Sequence, residues 1–306
     1  MLTDKIRNKQ SGILLYGITP PKINHSEDEI KTIALKHIER ISNLPIDGLV
    51  LYDIQDESDR TDEKRPFPFI KTLDPCEYSR TYLKDLEIPR VVYRAVGNYT
   101  SETFPAWLEI TKENQVHSVF VGAASRDQIK PLSLKEAYRL KKEINDNLCL
   151  GGICIPERHM VKHDEHIRVF NKIDNSCEYF ITQCVYNLEA SKIFLTDYAK
   201  YAKENKKEVV PIIFTLTPCG SAKTLDFMKW LGISIPNYLE EDLKASGDIL
   251  HDSMKLCIDI FKELYTFGKQ KGIPIGCNVE SVAIRKEEIE ASIKLLNEIK
   301  EFMDKN

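Results

Sequence analysis

The sequence lacks a run of apolar residues long enough to cross a bilayer, and ahead of Ser11 it has a base, Lys5, but no apolar stretch of the kind a signal peptide carries. Neither sign of charge is in excess: 43 Lys and Arg stand against 47 Asp and Glu, interspersed, for a net charge of −4. That leaves no electrostatic footprint for nucleic acid or an anionic membrane. The eight cysteines, Cys76, Cys149, Cys154, Cys177, Cys184, Cys219, Cys257 and Cys277, never form a C-x-x-C pair. Most sit in apolar, strand-like segments, as buried reduced thiols do, so a cytoplasmic location is expected. No G-x-G-x-x-G follows the first strand pattern, which weakens an open dinucleotide-binding sheet. What remains is ordinary for a folded chain, 42% hydrophobic and 29% charged. Its 306 residues exceed the ~250 that one closed barrel needs.

Short apolar runs alternate strictly with longer amphipathic ones. The strand patterns are 12–19, 48–53, 90–96, 117–122, 149–155, 179–186, 209–217 and 273–279. Helix patterns follow each: 26–42 with Ser26 and Glu29 as a capping pair, 74–86, 101–113, 133–145, 165–175, 189–204, a long stretch 222–271 broken at Gly232 and Pro236, and 285–303. Pro156 to His163 reads as a loop. Strands joined through helices run parallel, and eight such units predict a single α/β (β/α)8 TIM barrel over residues 1–306. Residues 222–271 are an extended helical excursion before the last strand, and no separate regulatory domain is expected. Association with further copies of the chain is compatible with this pattern.

In such a barrel the chemistry gathers where strands end. Gln183 is an amide closing an apolar strand, either a satisfied core glutamine or a ligand-recognition group with donor and acceptor in one plane. Asp53 ends the second strand, as a cap or partner of Arg60 or as an acid raised by burial. Glu157 follows strand five, and Glu280 follows strand eight on the same face as Asn278. His159, His163 and His166 have a spacing open to a metal, but loop packing is the default and no metal is expected. Gly220-Ser221-Ala222-Lys223 opens a helix after strand seven without P-loop spacing; it is an anion site or an ordinary cap. The charged, then aromatic, loop 56–68 is solvated or a lid.

Several strand ends resemble those of methylenetetrahydrofolate reductases. The most telling is Phe180-Ile181-Thr182-Gln183, similar to the family's I-T-Q ending. Pro20-Pro21, Asp59-Arg60-Thr61, Gly151-Gly152, Pro156-Glu157-x-His159, Ile212-Ile213 with Pro218, Lys172 and Ile235-Pro236 agree in order. The resemblance spans nearly the whole chain. It implies a folate substrate whose pterin meets Gln183, and reduction of 5,10-methylenetetrahydrofolate to 5-methyltetrahydrofolate with NAD(P)H; Asn278 and Glu280, from their strand-end position, are expected to bind the same substrate. It further implies FAD, held near Lys172, Ala124, Ser125 and His159. Two departures stand out. The family's catalytic glutamate on strand one is here Gly17, and its Arg-Gly-Asp after strand four is here Gly122-Ala123-Ala124-Ser125. A replacement acid is therefore expected, Asp53 first and Glu157 in reserve, with Glu280 a further carboxyl able to do the same job. A pterin-dependent methyltransferase and a folate-binding or partner-binding barrel without catalysis are the alternatives.

Overall fold

The computed structural model describes residues 1–58, 61–114, 116–122 and 130–306. Its strands are β1 (Leu14–Ile18), β2 (Gly48–Leu51), β3 (Arg90–Ala95), β4 (His117–Val121), β5 (Leu150–Cys154), β6 (Cys177–Cys184), β7 (Ile212–Leu216) and β8 (Ile275–Glu280). Each pairs in parallel with its neighbours in chain order, and β8 pairs with β1, so the sheet closes into a barrel. The (β/α)8 architecture expected from the alternation is the one observed.

The helices are α1 (Leu2–Arg7), α2 (Glu27–Ile41), α3 (Pro75–Tyr82), α4 (Phe104–Asn114), α5 (Leu134–Ile144), α6 (Pro156–Lys162), α7 (Glu165–Ile173), α8 (Leu188–Glu204), α9 (Ala222–Trp230), α10 (Asn237–Ala245), α11 (Ile249–Gln270) and α12 (Lys286–Lys305). Their starts follow local chemistry. Ser26 and Glu29 form the predicted capping box on α2, while Ser133, Asn187 and Ser221 accept the N–H three residues on. Gly220-Ser221 is thus an ordinary cap. The excursion 222–271 is three helices; Gly232 and Pro236 both fall in the first break, 231–236, and the second, 246–248, which holds Gly247, is an addition to the sequence reading.

Two readings change. Pro156 to Lys162 is a helix rather than a loop; Pro156 sits at its first position, where no N–H is missed, and His163 ends it in the left-handed region. The N-terminal helix α1 was not anticipated, because six residues carry too little periodicity to register.

Strand parity sorts the core. Ile13, Leu15, Val50, Val91, Tyr93, Val119, Cys149, Tyr179, Ile181 and Ile213 pack together inside the barrel with Leu2 and Ile6 of α1. The alternate residues, such as Leu14, Tyr16, Leu49, Val92, Phe180 and Phe214, pack against the helices. Thr3 Oγ1 meets His117 Nε2 at 2.9 Å, so α1 closes the N-terminal end of the lumen.

Outside the lumen, the Arg94 side chain is only 2% exposed. Its guanidinium pairs with both Asp74 oxygens, donates to Tyr99 Oη at 2.9 Å and packs on the Trp107 ring at 4.8 Å. Asp74 also caps α3 through the N–H groups of Cys76 and Glu77. Burial pushes its carboxyl up, but Arg94 and the two N–H groups more than offset this and leave it below the usual carboxylate range. Asp74→Ala should cost about 3 kcal/mol in urea unfolding, because it removes the main partner of a buried charge and leaves only the more distant Asp53. A carboxyl held low stabilises above its unfolded pKa and loses that contribution as pH falls through the folded one. The variant's deficit should therefore shrink below pH ~4.

A candidate ligand site at the barrel mouth

At the C-terminal ends of the strands the lumen turns polar. Gln183 follows Ile181 on the inward face of β6, and Asn278 and Glu280 lie on the inward face of β8, since Cys277 and Val279 pack outward. Tyr52, Val121 and Ile153 form a partly buried layer beneath them. These three sequence-predicted residues, Gln183, Asn278 and Glu280, are thus brought to one mouth. Gln183 Nε2 donates to the Leu231 carbonyl at 2.9 Å, which ties the excursion over β6.

Asn278 is fully buried, and its orientation follows from its partners. Thr215 Oγ1 donates to the Thr182 carbonyl at 2.8 Å, so it can only accept from the Asn278 amide, at 3.2 Å. The same amide nitrogen donates to Tyr52 Oη at 2.8 Å. The Tyr52 hydroxyl proton then goes to the Glu280 carboxylate, whose pKa it lowers. Burial is the larger effect and pushes the Glu280 carboxyl up to about 7. Burial, then the Glu280 charge, raises the Tyr52 phenol, so it stays a neutral donor.

Gly17 stands beside this cluster, in register with Glu280 across the β1–β8 seam. A Cβ built on Gly17 would lie 2.8 Å from both Cε2 and Oη of Tyr52. The tyrosine therefore occupies the space a side chain at Gly17 would need. Tyr52 was missed in the sequence. The available signal was its parity with Val50, which puts both on the lumen face, two residues apart.

The other expected residues lie elsewhere. Asp53 follows Tyr52 and turns to the helix side. Its carboxylate accepts the Ala95 N–H at 2.9 Å and lies 3.8 Å from Arg94. Burial raises its pKa while Arg94 pulls it down. It therefore serves β3 and does not enter the space beside Gly17, which Tyr52 fills; Arg60, its suggested partner, lies outside the described residues. Glu157 is in the first turn of α6. Both its oxygens are buried without a hydrogen-bond partner among the described residues; burial above all, with the charge of Glu165, raises it to about 7.

The FAD expectation rests on Lys172, His159, Ala124 and Ser125. Ala124 and Ser125 lie outside the described residues. The Lys172 ammonium donates to the Ile153 carbonyl and lies over the outward ring of Phe180, behind the sheet. His159 is 0% exposed and pairs through Nε2 with Asp197 of α8 at 2.8 Å. The described members of the set thus present no group to a flavin diphosphate, and they do not fit one as they stand. His163 and His166 ring His159 at centroid distances of 6.0 and 5.0 Å. Among the described residues no group of three or more His, Cys, Asp or Glu could hold a metal ion. No helix among them is long and apolar enough to cross a membrane.

A closed parallel barrel with its polar groups gathered at the strand ends defines a (β/α)8 protein with a candidate ligand site at its C-terminal mouth. Residues 133–275 match the family described as methylenetetrahydrofolate reductase. A solved structure of an uncharacterized protein from Clostridium thermocellum that binds two copies of 5-methyl-5,6,7,8-tetrahydrofolic acid is 53% identical. It covers 99% of this chain and 100% of that one, with a TM-score of 0.87. The chain belongs to the methylenetetrahydrofolate reductase family. The 7,8-dihydropteroate synthase of Vibrio fischeri ES114 is a much looser likeness, at 10% identity, 97% and 94% coverage and a TM-score of 0.48. No curated protein sequence matches the chain.

Restoring the family's glutamate alone should fail. Gly17→Glu places its Cβ against the Tyr52 ring, and the overpacking should lower stability by about 1–3 kcal/mol in thermal or urea melts. Tyr52→Ala in the same chain should recover most of that loss. Equal stability of Gly17→Glu and the unsubstituted protein would show that Tyr52 is not held there.

Proposed function

We propose that this protein binds a reduced folate at the barrel mouth and reduces 5,10-methylenetetrahydrofolate to 5-methyltetrahydrofolate with NAD(P)H. The observation that carries the reading is the convergence of Gln183, Asn278 and Glu280 on one end of an otherwise largely apolar lumen. Family membership supplies the reaction, and the Clostridium thermocellum protein supplies a precedent for the product as a ligand. On this reading the Gln183 amide leaves the Leu231 carbonyl and turns its donor and acceptor to the pterin edge. The Tyr52 and Tyr93 rings, 4.8 Å apart and edge to face, floor the site beneath it.

The hydride passes directly from nicotinamide to the folate, because Lys172 and His159 are engaged behind the sheet. The purified protein should show no flavin absorbance and gain none on gel filtration with added FAD. A stoichiometric yellow complex would overturn direct transfer and leave folate binding intact.

A second reading, folate binding without reduction, draws on Gly17, which removes the family's acid. Within it, methyl transfer from 5-methyltetrahydrofolate to a corrinoid partner is the catalytic variant. Folate-dependent NAD(P)H oxidation decides for reduction; binding with no oxidation decides for the second reading, and methyl transfer marks its catalytic variant. Gln183→Ala should weaken 5-methyltetrahydrofolate binding about tenfold in calorimetry, roughly 1.4 kcal/mol, as expected for a pterin polar group left without its partner. Unchanged affinity would remove Gln183 from the site.

A further inference from the structure

The reductive reading, on which this inference rests, poses a chemical problem. The methylene carbon of the substrate is bridged between two nitrogens, and hydride can reach it only once one of those bonds opens. Opening needs a proton on the departing nitrogen, yet Gly17 offers no side chain. We propose that Glu280 is the catalytic acid of the mouth and that Tyr52 is its positioning residue.

The geometry is specific. Glu280 and Gly17 are register partners on adjacent strands, so a carboxyl enters the mouth one strand away from the vacant position. The ring of Tyr52 fills the volume beside Gly17. Its hydroxyl accepts from Asn278 and so has one proton left to give, which goes to Glu280. The chain of donors from Asn278 through Tyr52 therefore orients one face of the carboxyl and leaves the rest of the group to the mouth, where Glu280 is partly exposed. The rival carboxyls have other partners or places: Asp53 is bound to Ala95 and Arg94, and Glu157 lies within α6 near Glu165. Burial keeps Glu280 near neutrality, with a pKa of about 7, so both protonation states are populated at physiological pH.

The step balances as follows. The Glu280 carboxyl gives its proton to N10 of the folate as the bond from N10 to the methylene carbon breaks, the electron pair staying on N10. The methylene becomes an iminium on N5 and takes a hydride from NAD(P)H, which leaves as NAD(P)⁺. Water reprotonates the Glu280 carboxylate.

Glu280→Gln keeps the shape and still accepts from Tyr52. It should lower kcat by ~10²–10⁴-fold with KM and 5-methyltetrahydrofolate affinity changed less than about threefold. The acid must be protonated to act, so turnover of the unsubstituted protein should fall as pH rises through about 7. Glu280→Gln should lose that limb. Tyr52→Phe removes the donor that favours the carboxylate, so it should retain activity and move the limb to higher pH. Turnover of Glu280→Gln within a few-fold of the unsubstituted protein would overturn Glu280 and leave the reductase reading standing. So would a rate with no inflection between pH 6 and 8. An unsubstituted protein that binds folate but oxidises no NAD(P)H would remove the reductase reading and this acid with it.

Discussion

The closure of β8 onto β1 is the constraint from which the mouth follows. A sheet left open would place the first and last strands at opposite edges, nearly the whole chain apart. Closed, it sets Gly17 and Glu280 side by side. The hydrogen bonds of that seam are backbone bonds and indifferent to side chains, so a carboxyl can stand on either strand and still address much the same volume. Loss of a side chain from one strand need not empty the site if the neighbouring strand contributes one. Tyr52, from the strand on the other side of β1, then fills what is left.

A one-residue step along a strand decides which environment a polar group meets. Tyr52 and Asp53 are consecutive, yet one floors the lumen and the other holds β3 from behind. Gln183 and Cys184 divide in the same way. Two polar systems result, separated by the thickness of the sheet. Inside, the Asn278 amide donates two ways, to Thr215, which donates on to the Thr182 carbonyl, and to Tyr52, whose own proton goes to a single carboxyl. Outside, Arg94 is matched by Asp74 with Asp53 nearby, so that the buried cation faces carboxylates of its own chain.

Much of this is legible in the sequence. Eight apolar runs alternating with helical ones are a strong periodic signal, and the capping pair Ser26 and Glu29 and the break that holds Gly232 and Pro236 fell where local chemistry put them. The shared face of Asn278 and Glu280 was also readable from the two-residue period. What was not readable was which face looks inward at a strand's end. That choice separates Asp53 from the mouth and admits Tyr52. Lys172 and His159 show the same limit: family motifs place them near the site in sequence, but their partners, the Ile153 carbonyl and Asp197, are tertiary facts. Helix α1 escaped notice because its two buried residues, Leu2 and Ile6, gain their meaning only from the lumen they enter.

That small helix has a further consequence. With Leu2 and Ile6 closing the N-terminal end of the packed lumen and Thr3 fastened to His117, no passage runs through the barrel, and the mouth is a blind well. Any molecule that enters from the strand ends must leave by the same opening. Two reactants meeting there share a single doorway, already narrowed by the excursion tied to Gln183. The one seated deeper cannot depart past the other until the shallower one has moved aside. Order of arrival and departure is then a property of the vessel as well as of the affinities of its contents.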